Sequence, residues 1–133
     1  MKELIIQAQT KNLDAVLDFV SGELEAVGCP LKTQTQIAIA VEEIFVNIAH
    51  YAYSAQPGGA AIRVSVGAEV TIEFEDNGKP YNPLEKDAPD ISADVEERQI
   101  GGLGVFMVKK IMDSVEYQYD GNKNTLTIRK ALM

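Results

Sequence analysis

A chain of 133 residues lies in the usual size range of one domain, and 46% hydrophobic with 24% charged residues is ordinary for a soluble globular protein. No apolar run approaches the roughly 20 residues that span a bilayer, and a net charge of −8 argues against nucleic acid or an anionic membrane as the main partner. The N-terminus turns polar too soon for a signal peptide, and Cys29 is the one cysteine, so we expect a single domain over residues 1–133 in a reducing cytoplasm.

The first part of the chain is predicted to be one strand and two amphipathic helices. Residues 3–9 favour a short strand. Apolar side chains recur at helical spacing over 12–28, and Gly28 and Pro30 end that helix. A second helix is predicted over 33–53, since its apolar stripe consists of Ile37, Val41, Ile44, Phe45 and Ile48.

A hairpin and a long polar segment follow. Residues 62–66 and 70–75 alternate apolar and polar side chains, which is typical of antiparallel strands with one buried face, and residues 67–69 suit the turn. Residues 79–100 are polar, contain three prolines and favour at most one weak helical turn near 92–97. Segments of this length without regular structure are usually lids or binding loops, so we expect a lid here.

The last part of the chain is predicted to be a helix and a second hairpin. The helix starts at the glycines after Ile100 and runs to about Met112, and strands 115–120 and 124–131 are joined by a turn at 120–122. This order predicts an α+β fold, a two-layer sandwich in which a mostly antiparallel, mixed sheet carries three helices on one face.

Two polar residues on the second predicted helix form the first chemical motif. Glu43 and Asn47 are four residues apart and share a helix face, with His50 one turn further. An asparagine carbonyl suits Mg²⁺, and a carboxylate one turn away can accept a proton from a hydroxyl. A solvated helix face is the alternative for this pair. For His50 we favour a structural or supporting role.

The second motif lies directly after the second strand of the first hairpin. Asp76 can accept a hydrogen bond from an exocyclic amine such as that of adenine, and Gly78 lets the backbone approach a base closely. The alternative is an ordinary turn, because Asp-Asn-Gly is also favourable turn sequence.

The third motif is a glycine-rich entry into the third predicted helix. Gly101, Gly102, Leu103 and Gly104 would present backbone N–H groups and the positive end of the helix dipole to phosphates. No Lys-Ser or Lys-Thr follows, so this is not a P-loop, and the G-x-G-x-x-G spacing is absent. Arg98 is a candidate phosphate contact, with a solvated arginine as the alternative.

The linear order of these motifs resembles that of the GHKL (Bergerat-fold) ATPases over essentially the whole chain. Within that group, the sequences of the anti-sigma-factor serine/threonine kinases are most similar to three segments of this chain, EEIFVNIAHYAY, EDNGKPYNP and ERQIGGLGVFMVKKIMD. Sensor histidine kinases typically have glycine where this chain has Pro80, and they carry a phosphoacceptor domain that the present sequence lacks.

The resemblance implies roles for individual residues. Asn47 would bind Mg²⁺ and Glu43 would be the general base, while Asp76 would bind adenine with Gly78 giving room. Gly102 and Gly104 would bind the phosphates of ATP from the start of the third helix, and 79–100 would be the ATP lid.

The resemblance also implies a kinase in a partner-switching pathway. It would phosphorylate a small antagonist (STAS-type) protein, sequester a sigma factor and form a homodimer, and it would bind neither nucleic acid nor a membrane directly. Two alternatives share the same nucleotide-binding residues: a non-catalytic module in which ATP gates partner binding, and a stand-alone ATP hydrolase. Acidic residues of the predicted lid could select a basic partner surface, although plain solvation is their usual role.

Overall fold

The computed structural model describes residues 1–53, 58–82, 84 and 102–132. This part of the chain folds into five strands and three α-helices, with a short 3₁₀ turn at Thr10–Asn12 before the first helix. In chain order the elements are β1 Lys2–Gln7, α1 Leu13–Ala26, α2 Leu31–Tyr51, β2 Gly59–Val66, β3 Glu69–Asp76, α3 Gly102–Ile111, β4 Ser114–Asp120 and β5 Lys123–Ala131.

The five strands form one sheet in the order β1-β2-β3-β5-β4. All four pairings between described strands are antiparallel, and the register sets Ile62 opposite Phe74 and Ile72 opposite Ile128. The predicted α+β sandwich is therefore confirmed, with an antiparallel sheet throughout the described strands. Because β5 inserts beside β3, the end of β3 at Asp76 lies opposite the start of β5 at Asn124.

The core lies between the helices and one face of the sheet. Alternate residues of β2 and β3 are buried, as the period-two pattern predicts, and the helical stripes cover them. Phe45 of α2 and Phe74 of β3 are both fully buried, and each contributes roughly 1.5–3 kcal/mol by leaving water. Helix α2 is thereby fixed across the sheet, with its C-terminal end near the end of β3.

Helix boundaries differ from the predictions by two residues or fewer, for identifiable reasons. Helix α1 ends at Ala26 because Gly28 adopts φ 71°, and the N–H groups of Gly28 and Cys29 then bond back to the carbonyls of Glu25 and Leu24. Helix α2 starts at Leu31, directly after Pro30, which suits the residue before a helix because it needs no donor.

The predicted final turn is confirmed at Gly121 and Asn122, whose φ values of 60° and 64° fit the two-residue turn that matches strand twist. Of the predicted lid, residues 79–82 and 84 are described. The remainder, with the helical turn expected near 92–97, lies outside the described residues. None of the described helices is both long and apolar enough to cross a membrane.

Candidate nucleotide site

Asp76 is a buried carboxylate at the end of β3, with 6% of its surface exposed. Its Oδ1 atom accepts hydrogen bonds from the backbone N–H of Gly78 at 2.8 Å and from Nδ2 of Asn124 at 3.0 Å. Within the described part of the chain, Oδ2 accepts none. Burial raises the pKa of Asp76 above its usual value, although the two hydrogen bonds oppose that shift. The geometry leaves one carboxylate oxygen available to a ligand.

Residues 77–82, which we call the strand-end loop, are held against the end of α2. The N–H of Asn77 donates to the hydroxyl of Tyr53 at 2.9 Å, and the N–H of Lys79 donates to the carbonyl of Ala52 at 3.0 Å. A Cβ on Gly78 would collide with the Ala52 carbonyl oxygen and lie 2.6 Å from its carbonyl carbon. Glycine is thus required here by contact with the α2 backbone, whereas its role toward a base stays a prediction.

Asn124 of β5 is a site residue that the sequence reasoning missed. It is buried, donates from Nδ2 to Asp76 and to the carbonyl of Lys79 at 2.9 Å, and accepts at Oδ1 from the N–H of Tyr81 at 3.2 Å and from the hydroxyl of Tyr117. A signal was present: in period-two alternation Asn124 shares the inward face with Leu126 and Ile128.

An apolar pocket opens above Asp76. Its walls are mostly aliphatic and aromatic, and Asn47, Asp76, Tyr117 and Asn124 are among its polar members. Tyr81 and Leu84, at the start of the predicted lid, also line it, and the Tyr81 ring stacks on Tyr51 with centroids 5.5 Å apart. A flat heteroaromatic ring with one amine donor matches this combination of apolar walls and a single carboxylate acceptor. Its apolar lining includes Ile44 and Ile48 of α2, Val105 and Val108 of α3, and Phe74 of β3.

At the other end of the site, α3 crosses α2 beside Glu43. A Cβ on Gly104 would collide with the Glu43 carboxylate and lie 2.8 Å from its Cδ, so the glycine permits this close approach. Burial, and next the charge of Glu42, raise the pKa of Glu43. The first backbone N–H groups of a helix have no acceptor within it, so the start of α3 can receive an anion.

The structure brings most of the predicted site residues together. Asn47 and Asp76 line one pocket, and Glu43 contacts Gly104. Gly102 and Leu103 form the first turn of α3, whereas Arg98 and Gly101 lie outside the described residues. His50 is exposed.

The donor set fits a magnesium ion that shares its ligands with phosphates. Among the described residues no group of three or more His, Cys, Asp or Glu side chains could hold a metal by itself. Mg²⁺ typically takes only one or two protein oxygens and completes its shell with phosphates and water. Asn47, on the pocket wall, offers one such oxygen.

Comparison with known proteins finds a family match over most of the chain. A family model described as a histidine kinase-like ATPase domain matches residues 6–130. The serine/threonine-protein kinase BtrW of Bordetella bronchiseptica is 28% identical over 96 residues, which cover 69% of this chain and 66% of that protein. The serine-protein kinase RsbW of Listeria monocytogenes is 27% identical over 116 residues, covering 76% and 68%.

Solved structures show the same fold. The histidine kinase domain of the blue-light activated kinase EL346 of Erythrobacter litoralis gives a TM-score of 0.58 at 19% identity, covering 90% of this chain and 61% of that one. The SiaB-SiaC complex of Pseudomonas aeruginosa gives 0.57 at 12% identity, covering 96% and 88%. The chain spans about two thirds of the length of the curated relatives named above.

Proposed function

The chain belongs to the histidine kinase-like ATPase domain family, and from this premise we propose that it is an ATP-dependent serine/threonine protein kinase. Its acceptor would be a hydroxyl on a small antagonist (STAS-type) protein, and the same chain would sequester a sigma factor in a partner-switching pathway of the cytoplasm. The names of the similar serine-protein kinases support this choice of acceptor.

One observation carries the proposal: the pocket at Asp76 and the crossing of α2 and α3 at Glu43 are connected along one face of α2. Asn47 lines the pocket that holds Asp76, and it lies one helical turn from Glu43 on α2. Glu43 in turn touches Gly104 at the start of α3. A nucleotide whose base reaches Asp76 would thus direct its phosphates toward the first turn of α3 and toward Glu43.

In the proposed reaction the acceptor hydroxyl oxygen bonds to the γ-phosphorus while the bond from that phosphorus to the bridging oxygen of ADP breaks. Glu43 takes the hydroxyl proton on its carboxylate. Its raised pKa suits that task, because a base is most effective when its pKa lies nearer the working pH. Asn47 would hold Mg²⁺, which when bound neutralises phosphate charge. The N–H groups at the start of α3 would bind and orient the phosphates.

The test of this proposal is a transfer assay with labelled ATP, the purified protein and its candidate antagonist partner. Glu43→Ala is expected to keep ATP binding and to lower transfer about 10²- to 10⁴-fold, the usual contribution of a general base. Glu25→Ala is the matched control, because Glu25 is an exposed helix carboxylate on α1 that is not among the candidate site residues.

Each outcome distinguishes a different function. Label on a partner serine or threonine that depends on Glu43 supports the kinase. Partner binding that requires ATP but yields no labelled protein supports the ATP-gated module, and release of free phosphate alone supports a hydrolase. Undiminished transfer by Glu43→Ala would contradict the base assignment.

A further inference from the structure

Asn124 uses all of its hydrogen-bonding capacity inside the protein. A carboxamide has two donor hydrogens and an oxygen with two lone pairs. The donors go to Asp76 Oδ1 and to the Lys79 carbonyl, with the Gly78 carbonyl a longer third neighbour at 3.4 Å. The oxygen receives the Tyr81 N–H and the Tyr117 hydroxyl. No capacity is left for a ligand.

The orientation of this carboxamide follows from its backbone partners. A backbone carbonyl can only accept and a backbone N–H can only donate. Since Lys79 presents its carbonyl and Tyr81 its N–H, the NH₂ group of Asn124 must face Lys79 and the oxygen must face Tyr81. The same orientation directs an N–H toward Asp76, so the network is consistent at every contact.

Asn124 also joins three separate parts of the site. It contacts Asp76 at the end of β3, two backbone groups of the strand-end loop, and Tyr117 of β4. It is 5% exposed, so these bonds form in a medium of low polarity, where an unmatched polar group is costly. Displacing Asn124 would therefore disturb Asp76 and the loop together.

We propose that Asn124 is a positioning residue for nucleotide-base recognition, which fixes Asp76 so that its Oδ2 alone faces the ligand and thereby favours a purine with a 6-amino group over one with a 6-oxo group. The inference rests on the proposed nucleotide site. A fixed acceptor attracts an amine donor and repels a carbonyl oxygen, whereas a carboxyl group free to rotate or to protonate would discriminate poorly.

The test compares the affinities for ATP and inosine triphosphate with Mg²⁺ present, measured by calorimetric titration. Wild type is expected to favour ATP. Asn124→Asp keeps the side-chain shape but sets a carboxylate against Asp76 and the Lys79 carbonyl, so the ratio of the two affinities should fall at least about tenfold.

Two further variants make the result interpretable. Tyr117→Phe removes one donor to Asn124 and keeps the ring, so a smaller fall of about threefold in the same ratio is expected. Thr125→Ala, on the next residue of β5 and the opposite face of the sheet, should leave the ratio unchanged. If Asn124→Asp does not fold, Tyr117→Phe provides the test.

A merely structural role would give a different pattern. Variants of Asn124 and Tyr117 would then lose thermal stability, or lose affinity for ATP and inosine triphosphate in parallel, and the ratio of the two affinities would be preserved. This result would overturn the inference. Wild-type protein that bound ATP without preference over inosine triphosphate would also overturn it, leaving the nucleotide site intact. Wild-type protein that failed to bind ATP would instead overturn the proposed function itself.

Discussion

The two ends of the candidate site are built on opposite principles. Around Asp76, polar atoms of three chain segments are matched to one another, and one carboxylate oxygen is left over. At the crossing of α2 and α3, the side chains of Glu43 and Asn47 make no hydrogen bond or ion pair with any other described residue. The polar groups at the first end are thus held in place by one another, while the side chains at the second end stay uncommitted.

This difference matches what the proposed function would require of each end. A nucleotide base that is bound but does not react gains affinity from a rigid acceptor that is already hydrogen-bonded in place. Little conformational entropy is then lost in ordering that acceptor when the base binds. A group that takes a proton or shares a metal ion needs uncommitted lone pairs at the moment of reaction. Substitutions at the Asp76 end should therefore change binding or stability, whereas those at the Glu43 end should change the reaction with little effect on the fold.

The largest effect on nucleotide affinity is expected from Asp76→Asn. Gly78 and Asn124 would keep the amide oxygen turned inward, so the NH₂ group would face the pocket and meet the amine of adenine, donor against donor. ATP affinity should fall about 10- to 100-fold, the usual effect of losing a hydrogen bond to a charged group. Calorimetric titration measures this, and an unchanged affinity would show that Asp76 does not face the base.

Gly78→Ala tests whether the strand-end loop is rigid. The new methyl group would collide with the backbone of Ala52, which cannot turn aside as a side chain could. The free energy of unfolding in urea should fall by about 1–3 kcal/mol. Gly22→Ala is the matched control: it lies within α1 with no atom within 4 Å of its new Cβ, and a gain of about 0.5–1 kcal/mol is expected. Equal stability of the two variants would contradict a rigid loop.

Gly104→Ala makes the corresponding change at the helix crossing, with a different outcome. Its Cβ would meet the carboxylate end of Glu43, a flexible group that can rotate away. Unfolding free energy should therefore stay within about 1 kcal/mol of wild type. Phosphoryl transfer should fall about tenfold or more, because the base is displaced. A large loss of stability together with full transfer activity would reverse the contrast between the two ends.

Most of the fold could be predicted because its signals are local. Two periodic patterns each predict one buried face: the period-two alternation around Ile62 and Val64, and the helical stripe through Ile37, Val41 and Ile44. In the structure all five of these side chains are buried. The glycine turn at 121–122 has an equally local cause. The order of strands in the sheet is not local, since it depends on which distant segments pair.

The candidate site was predictable only in part for the same reason. Glu43, Asn47 and Asp76 were found from spacing and motif order, whereas Asn124 lies 48 residues from Asp76 and belongs to no motif. The contact of Gly78 with the end of α2 is also not visible in the sequence, and its predicted role of giving room to a base stays a prediction. Only the pairing of β3 with β5 and the path of α2 reveal these contacts.

The smallest expected effect concerns the stability contribution of Glu43. Because burial raises its pKa above the value of 4.5 that the unfolded chain would show, the folded state binds this proton more tightly. The resulting stabilisation is complete below pH 4.5 and is lost as the pH rises through the raised folded value. Glu43→Gln, which cannot ionise, should therefore gain stability relative to wild type between about pH 4.5 and neutrality.

Since Glu43 is only half-buried, solvent screening should keep that relative gain below about 1 kcal/mol. Unfolding in urea at pH 4, 5, 6 and 7 measures it, with Glu25→Gln on the exposed face of α1 as the control for removing a helix carboxylate. If wild type were instead more stable than Glu43→Gln at pH 7, by a difference that shrank toward pH 4, Glu43 would be stabilised as an anion. The crossing of α2 and α3 would then hold a committed ion pair, and the contrast with the Asp76 end would no longer stand.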